Sequence, residues 1–244
     1  MVSRQTLELR RLEMSDIVEL QKRWIKIRSA NVYDTLDKMG YPNQCISLQI
    51  KPIVPGTRIA GCAVTMRGIR APYTEEEIES NKAELDPPFE KIQSYAYPGC
   101  VIVIDGGGEP MTGKCGEMTS WAFKQNGATG IVVDGYIRDY EGLLDIPDYT
   151  VCSKGTAPIE SKQRWMLREF NTVIGMPGTL TSTVRVKPGD WIVGDTDGVM
   201  VVPAEIAEEA LKNAEDIEAR EEGMRNDMKK GMSFKDAFEK WGRA

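Results

Sequence analysis

The chain has 244 residues, and its 41% hydrophobic content is enough to bury one proper core. A net charge of −6 and a pI near 5.0 leave no basic field for a polyphosphate backbone, which argues against a nucleic-acid partner. No apolar run reaches transmembrane length, the polar start MVSRQTLELRRLEMSD lacks the apolar centre of a signal peptide, and the five cysteines lack any C-x-x-C spacing. These features predict a cytoplasmic protein with reduced thiols, no zinc site and no membrane partner. Histidine is absent, which removes the commonest general base and transition-metal ligand together. Chemistry here must therefore use carboxylates, arginine, backbone amides and water, and any metal would be a hard ion such as Mg²⁺ or Mn²⁺.

Taken in order, the chain predicts an α/β fold with N-terminal helices and a helical tail. Residues 14–40 alternate apolar and charged positions at helical spacing from a possible cap at Ser15, with a second helix opening near Ser29 and a stop at Gly40-Tyr41-Pro42. Arg58–Met66 reads as a strand. Residues 70–88 are acidic and proline-flanked without an apolar stripe, as expected of a solvated surface excursion. Val101–Asp105 is a buried strand that stops at Gly106-Gly107-Gly108, Gly116–Asn126 is helix-compatible with Gly127 at its end, and Gly130–Asp134 is a second strand. Gly135 then turns the chain so that Arg138 and Asp139 fall just past the strand's carboxyl end, the edge where α/β proteins bind ligands. Beyond Asp139 the chain reads as irregular, with short strands near Thr150, Asn171–Ile174, Ser182–Val186, Trp191–Val193 and Val199–Val202. A tail helix follows Pro203 with the stripe Ile206, Ala210, Leu211, Ala214, Ile217, Met224 and Met228, which passes through Glu221. The expected organisation is one α/β domain over residues 1–203 and a helical tail over 204–244.

Gly108 to Cys115 matches G-x-x-x-x-G-K of a phosphate loop, but a thiol replaces the hydroxyl that would bind Mg²⁺, and Gly116 weakens the helix that should follow. A nucleotide-binding protein is thus the least favoured reading. An Arg-Asp pair after a strand, taken alone, reads as a surface ion pair.

Larger motifs change that balance. Gly116-Glu117-Met118 followed by Gly127-Ala-Thr-Gly130-Ile-Val-Val-Asp134-Gly135-Tyr-Ile-Arg138-Asp139 resembles the signature of the RraA-like family. That family includes 4-hydroxy-4-methyl-2-oxoglutarate/4-carboxy-4-hydroxy-2-oxoadipate aldolases and the protein regulator of ribonuclease E. Asp34, Pro55-Gly56, Lys187–Asp190 and Asp195–Val199 extend the resemblance in order over most of the chain.

The resemblance implies a layered β/β/α core and a trimer or a pair of trimers. It makes Asp139 the carboxylate of a divalent Mg²⁺ or Mn²⁺ site and Arg138 a contact to a 2-oxo acid substrate. The amides of Gly116, Glu117 and Met118 would hold the substrate carboxylate, at a helix terminus suited to an anion. Asp34 and Glu117 match acidic positions around a proton-carrying water. The third such position matches Glu221, or less well Glu222, on the tail of a neighbouring subunit. Carboxylates gathered in this way would push one pKa up, giving an acid near neutral pH. The implied activity is a metal-dependent carbon–carbon lyase, an aldolase or an oxaloacetate decarboxylase working through a pyruvate enolate. The alternative is a non-catalytic RraA-type regulator that binds a protein.

Overall fold

A computed structural model describes residues 14–74, 76–77, 80 and 87–242. Residues 1–13 of the polar start, and residues 75, 78–79 and 81–86 of the 70–88 excursion, lie outside the described residues. The first two helices among the described residues are α1 (Met14–Trp24) and α2 (Ser29–Lys38). α2 buries Val32 and Leu36, four residues apart on one face, together with Asn31 and Thr35. Its first turn is capped from outside the helix: the Ser29 amide and hydroxyl both donate to the Asp195 carboxylate, at 2.9 and 2.6 Å. The Asp195-Thr-Asp197-Gly198 turn thus serves the helix.

The main sheet runs β1 (Lys51–Pro52), β6 (Thr150–Ser153), β4 (Gly130–Val133), β3 (Cys100–Asp105), β2 (Ile59–Arg70), β11 (Trp191–Gly194), β12 (Val199–Val202). β6, β4, β3 and β2 are parallel, while β1, β11 and β12 join antiparallel. β2 is twelve residues long and serves two neighbours on one side. Ile59–Cys62 pair with β11, and Met66–Arg70 pair with β8 (Trp165–Phe170) across a register shift between Arg67 and Gly68. A Cβ on Gly68 would collide with the Trp165 indole, so the missing side chain is what lets that ring lie on the strand.

Alternation along the parallel strands sends Ile102, Ile104, Ile131 and Val133 toward α3 (Phe89–Gln93), α4 (Glu117–Gln125) and α5 (Tyr140–Leu144), where Ile92, Phe123 and Leu143 meet them. Their other face, Ala63, Val101, Val103 and Val132, packs on a hairpin of β9 (Ile174–Pro177) and β10 (Thr183–Val186) through Ile174, Met176, Val184 and Val186. This is the β/β/α layering. A third cluster seats α1, α2 and the tail helix α6 (Ala207–Lys229) on Ala60, Cys62, Trp191, Val193, Met200 and Val202.

The structure corrects several expectations. Asn171, at φ +50, belongs to a turn, and the strand placed at Asn171–Ile174 starts only at Ile174. The stretch after Asp139, expected to be irregular, holds α5, β8 and the two-residue strand β7 (Gly155–Thr156), which pairs in parallel with β5 (Tyr136–Ile137) just before it. The apolar stripe of α6 is buried only as far as Ile217. Beyond it a separate helix, α7 (Phe234–Trp241), folds back so that the Trp241 ring covers Gly223. Among the described residues, no helix is long and apolar enough to cross a membrane.

Candidate active site

The site forms where two loops at the carboxyl ends of β3 and β4 pack without side chains between them. A Cβ on Gly106 would strike the Asp134 carbonyl, and one on Gly107, at φ +61, would strike the Gly68 carbonyl. The 106–116 segment then doubles back along residues 136–138. Lys114 N–H donates to the Tyr136 carbonyl at 2.8 Å, and Arg138 N–H donates to the Cys115 carbonyl at 3.0 Å. Asp134 is fixed by the Lys154 ammonium at 2.5 Å.

Register set in this way brings the start of α4 to the Arg-Asp pair. Asp139 Oδ2 lies 3.2 Å from Arg138 Nε and accepts from the Glu117 amide at 3.4 Å. A Cβ on Gly116 would collide with that same Oδ2, so only glycine allows the approach. Asp139 itself sits in the left-handed region at φ +60, ψ 45. A backbone held there by its surroundings is a recurrent mark of functional positions. The Glu117 side chain leans over α5, where Gly142 leaves room for its carboxylate. Arg138 also faces Glu160, with Nη1 3.9 Å from Oε1, and Met118 beside the pair is 73% exposed.

The arrangement juxtaposes a helix N-terminus, a guanidinium and an accessible carboxylate. It suits a small anion next to a cation. The Arg138 and Asp139 side chains remain 34% and 41% exposed, so their ion pair adds little to stability and their proximity matters for what they can bind. Among the described residues no three cysteine or carboxylate side chains converge. A divalent cation at Asp139 would therefore have at most two such ligands among the described residues and complete its shell with water or substrate oxygens, a donor set that fits Mg²⁺ or Mn²⁺.

Gly116, Glu117, Met118, Arg138 and Asp139 are together. Asp34 and Glu221 lie elsewhere in the chain, in a second polar group on α2 and α6. Glu221 accepts from Asn31 Nδ2 at 3.2 Å and Arg225 Nη1 at 3.1 Å, with Arg28 Nη1 3.8 Å away. Glu218 shares Asn31 and Arg225. Asp34, one helical turn beyond Asn31, is exposed, as is Glu222. No hydrogen bond or ion pair between described residues links this group to Asp139. Glu160, which faces Arg138, escaped the sequence reading, as did the contacts of Glu109 with Lys114 and of Trp165 with Gly106 in the adjoining loop. Glu160 and Trp165 are close only through the tertiary fold.

Lys114 is neither a phosphate ligand nor a nucleophile here. Its side chain is 0% exposed, and its ammonium donates to the Glu109 carboxylate at 2.9 Å and the Glu109 carbonyl at 2.7 Å. Burial raises the Glu109 pKa, but the Lys114 ammonium, together with the Met111 and Thr112 donors, outweighs it and holds the carboxyl at about 2. A cavity of about 990 Å³ opens elsewhere, lined by Gln21, Ile25, Arg58, Lys124, Leu143 and Tyr149 among others. It gathers none of the Arg-Asp chemistry, so the side-chain geometry rather than the size of the hollow identifies the site.

Fold and site define an α/β protein with an amide-lined helix terminus set against an Arg-Asp pair. Residues 29–201 match the family described as RraA-like: Aldolase/RraA, and the chain belongs to the RraA-like family. A relative from Halalkalibacterium halodurans named "Putative 4-hydroxy-4-methyl-2-oxoglutarate aldolase" is 32% identical over 78% of this chain and 81% of its own length. Protein DlpA of Legionella pneumophila is 25% identical over 93% of this chain, which spans only 34% of that protein. The crystal structure of Streptomyces coelicolor RraAS2, described as an unusual member of the RNase ES inhibitor RraA protein family, superposes with a TM-score of 0.70. It is 27% identical and covers 85% of this chain and 96% of its own.

Proposed function

We propose that the protein is an aldolase-type lyase that cleaves a carbon–carbon bond in a 2-oxo acid and releases pyruvate, with Mg²⁺ or Mn²⁺ held at Asp139. The observation that carries the reading is the convergence of the Glu117 amide and the Arg138 guanidinium on Asp139 Oδ2. The aldolase names borne by relatives support it.

In this reading the substrate carboxylate lies at the α4 terminus, where the Gly116–Met118 amides and the helix dipole favour an anion. Arg138 swings from Glu160 to the substrate and adds a fixed positive charge where negative charge develops. The cation, when bound, supplies Lewis-acid polarisation of the keto group. For 4-hydroxy-4-methyl-2-oxoglutarate, the C4 hydroxyl gives up its proton and the C3–C4 bond breaks. One pyruvate leaves from the C4 side, and the electron pair stays on the other half as an enolate. A water held by Glu117 returns the proton to C3, yielding the second pyruvate. Asp34 and Glu221 complete that water's surroundings from a neighbouring subunit. Oxaloacetate loses CO₂ to the same enolate.

A protein-binding regulator is the second reading. The likeness to RraAS2 favours it, as do Met111 and Met118, 61% and 73% exposed beside the site. The test is pyruvate release from oxaloacetate and from 4-hydroxy-4-methyl-2-oxoglutarate with Mg²⁺ or Mn²⁺, alongside Asp139→Ala and a chelated control. Activity abolished in both controls is the expected result. No turnover together with no Mn²⁺ binding would displace the lyase reading in favour of the regulator.

A further inference from the structure

The buried Lys114 ammonium has no part in the chemistry just described, yet it touches the loop that positions the site. Lys114 Nζ donates to the Glu109 carboxylate and carbonyl and lies 3.4 Å from the Thr112 carbonyl. It also sits 5.5 Å from the centre of the Trp165 ring, and the Trp165 indole N–H donates to the Gly106 carbonyl at 2.9 Å. Its aliphatic chain fills the space over Gly106 and Gly135, where a Cβ on either would come within 2.9 Å of it. Glu109 in turn accepts from the Met111 and Thr112 amides and the Thr112 hydroxyl. One ammonium thereby ties the outgoing 106–112 arm of the loop to its returning arm and to β8.

The returning arm is the one that carries the site. Lys114 bonds to Tyr136 through its own amide, Cys115 takes the Arg138 amide, and Gly116 follows directly against Asp139. One residue separates Lys114 from Gly116, and one separates Tyr136 from Arg138, so a shift of Lys114 is passed to both halves of the Arg-Asp site. Stability alone does not call for this pair. Two well-packed apolar side chains of equal volume serve a core as well as, or better than, a buried ion pair, whose distinctive contribution is to fix one geometry. We propose that Lys114, with Glu109 and Trp165, is a positioning brace that sets the spacing between the α4 terminus and Asp139. The role of that spacing rests on the lyase reading above; the brace itself does not.

The test compares wild type with Lys114→Met, with Lys114→Met/Glu109→Gln and with Trp165→Phe. Thermal stability, amide hydrogen exchange and Mn²⁺ affinity by electron paramagnetic resonance are measured for each. Lys114→Met strands a buried carboxylate and is expected to destabilise. The double variant removes both charges and is expected to regain most of the melting temperature. It should nonetheless show faster exchange in both residues 106–117 and 134–139, and bind Mn²⁺ at least about tenfold more weakly, whereas a merely stabilising role predicts native values for both once stability returns. Native exchange and native Mn²⁺ affinity in the double variant would overturn the brace. Should the double variant fail to fold, Trp165→Phe keeps both charges while removing the bond to Gly106 and part of the ring beside Gly68 and Lys114; faster exchange across Gly106–Gly116 supports the brace, and unchanged exchange overturns it. If wild type binds no Mn²⁺, the lyase reading fails while the exchange data still decide the brace.

Discussion

Asp139 bears three demands at once: a left-handed backbone, an ion pair with its own neighbour, and a hydrogen bond from the first turn of α4. Gly116 is the other side of that contact, which makes it a sharper probe than any charged residue. Gly116→Ala adds one carbon where Asp139 Oδ2 now lies, and either the carboxylate or the helix start must move. A displacement of this size is expected to lower kcat/KM for pyruvate release about 100-fold. Stability should change by no more than about 1 kcal/mol, since an extended residue at a helix start tolerates alanine. Steady-state kinetics beside a urea titration separates the two. The Arg-Asp pair and the glycines were legible in the sequence because each lies within a few residues of a strand end. Glu160 and Trp165 were not, because their proximity is created where the chain entering β8 returns along β2, and Glu109, though in the same loop, carries no sign in sequence that it turns inward to Lys114. Lys114 was visible but misleading, since a G-K dipeptide carries no sign of which side of the loop its side chain takes.

Glu109 gives this residue-scale picture a pH dependence. Its carboxyl is held at about 2 against an ordinary value of 4.5. A depressed folded-state pKa contributes stability that is fully present above 4.5 and is lost as the pH falls toward 2. Denaturation measured between pH 7 and 2 should therefore show the stability difference between wild type and Lys114→Met narrowing below about pH 4.5.

At the scale of elements, the longer helices and the parallel strands around the site followed closely from pattern. β3 and β4 are continuous apolar runs because both faces are covered, and α2 and α4 start and stop near their predicted ends. The misses share a cause. WMLREF, which forms β8, lacks clean alternation because it pairs only with the far end of β2 and buries Trp165, Met166 and Leu167 in succession. The tail stripe stops short at Ile217 because α7 turns back over Gly223, an interaction between segments that periodicity in one helix does not register. α2 depends on an external cap, with no side-chain bond from Arg28 at its own start. Asp195→Ala removes the acceptor of the Ser29 amide and hydroxyl, and is expected to cost about 1 kcal/mol in chemical denaturation.

Across the whole molecule the carboxylates expected to serve the site fall into two sets, Glu117 with Asp139 and, on α2 and α6, Asp34 with Glu221. If the lyase site is completed between subunits, these sets are two halves that meet only in an oligomer. Asp139→Ala and Glu221→Gln would each be inactive as pure proteins. Mixing them under conditions that exchange subunits should restore part of the activity, because some interfaces then carry both intact halves. No recovery despite proven exchange would place the working carboxylates within one chain. The sequence pointed to this division through Glu221, a carboxylate on an otherwise apolar stripe, but not to Arg28, Asn31 and Arg225, which face it only after α2 and α6 pack.

β2 has a consequence for how this architecture can be rebuilt. Its first four residues set the register of β11, and through it the seat of the helical tail, while its remaining length sets β3 and β8, and through them the loops around Asp139. A chimera that exchanges the tail with that of a relative must therefore take its strand partner from the same parent, at least from Ile59 to Cys62. The natural crossover for such recombination lies inside a strand, near residue 63, and not at the loop boundary after Val202.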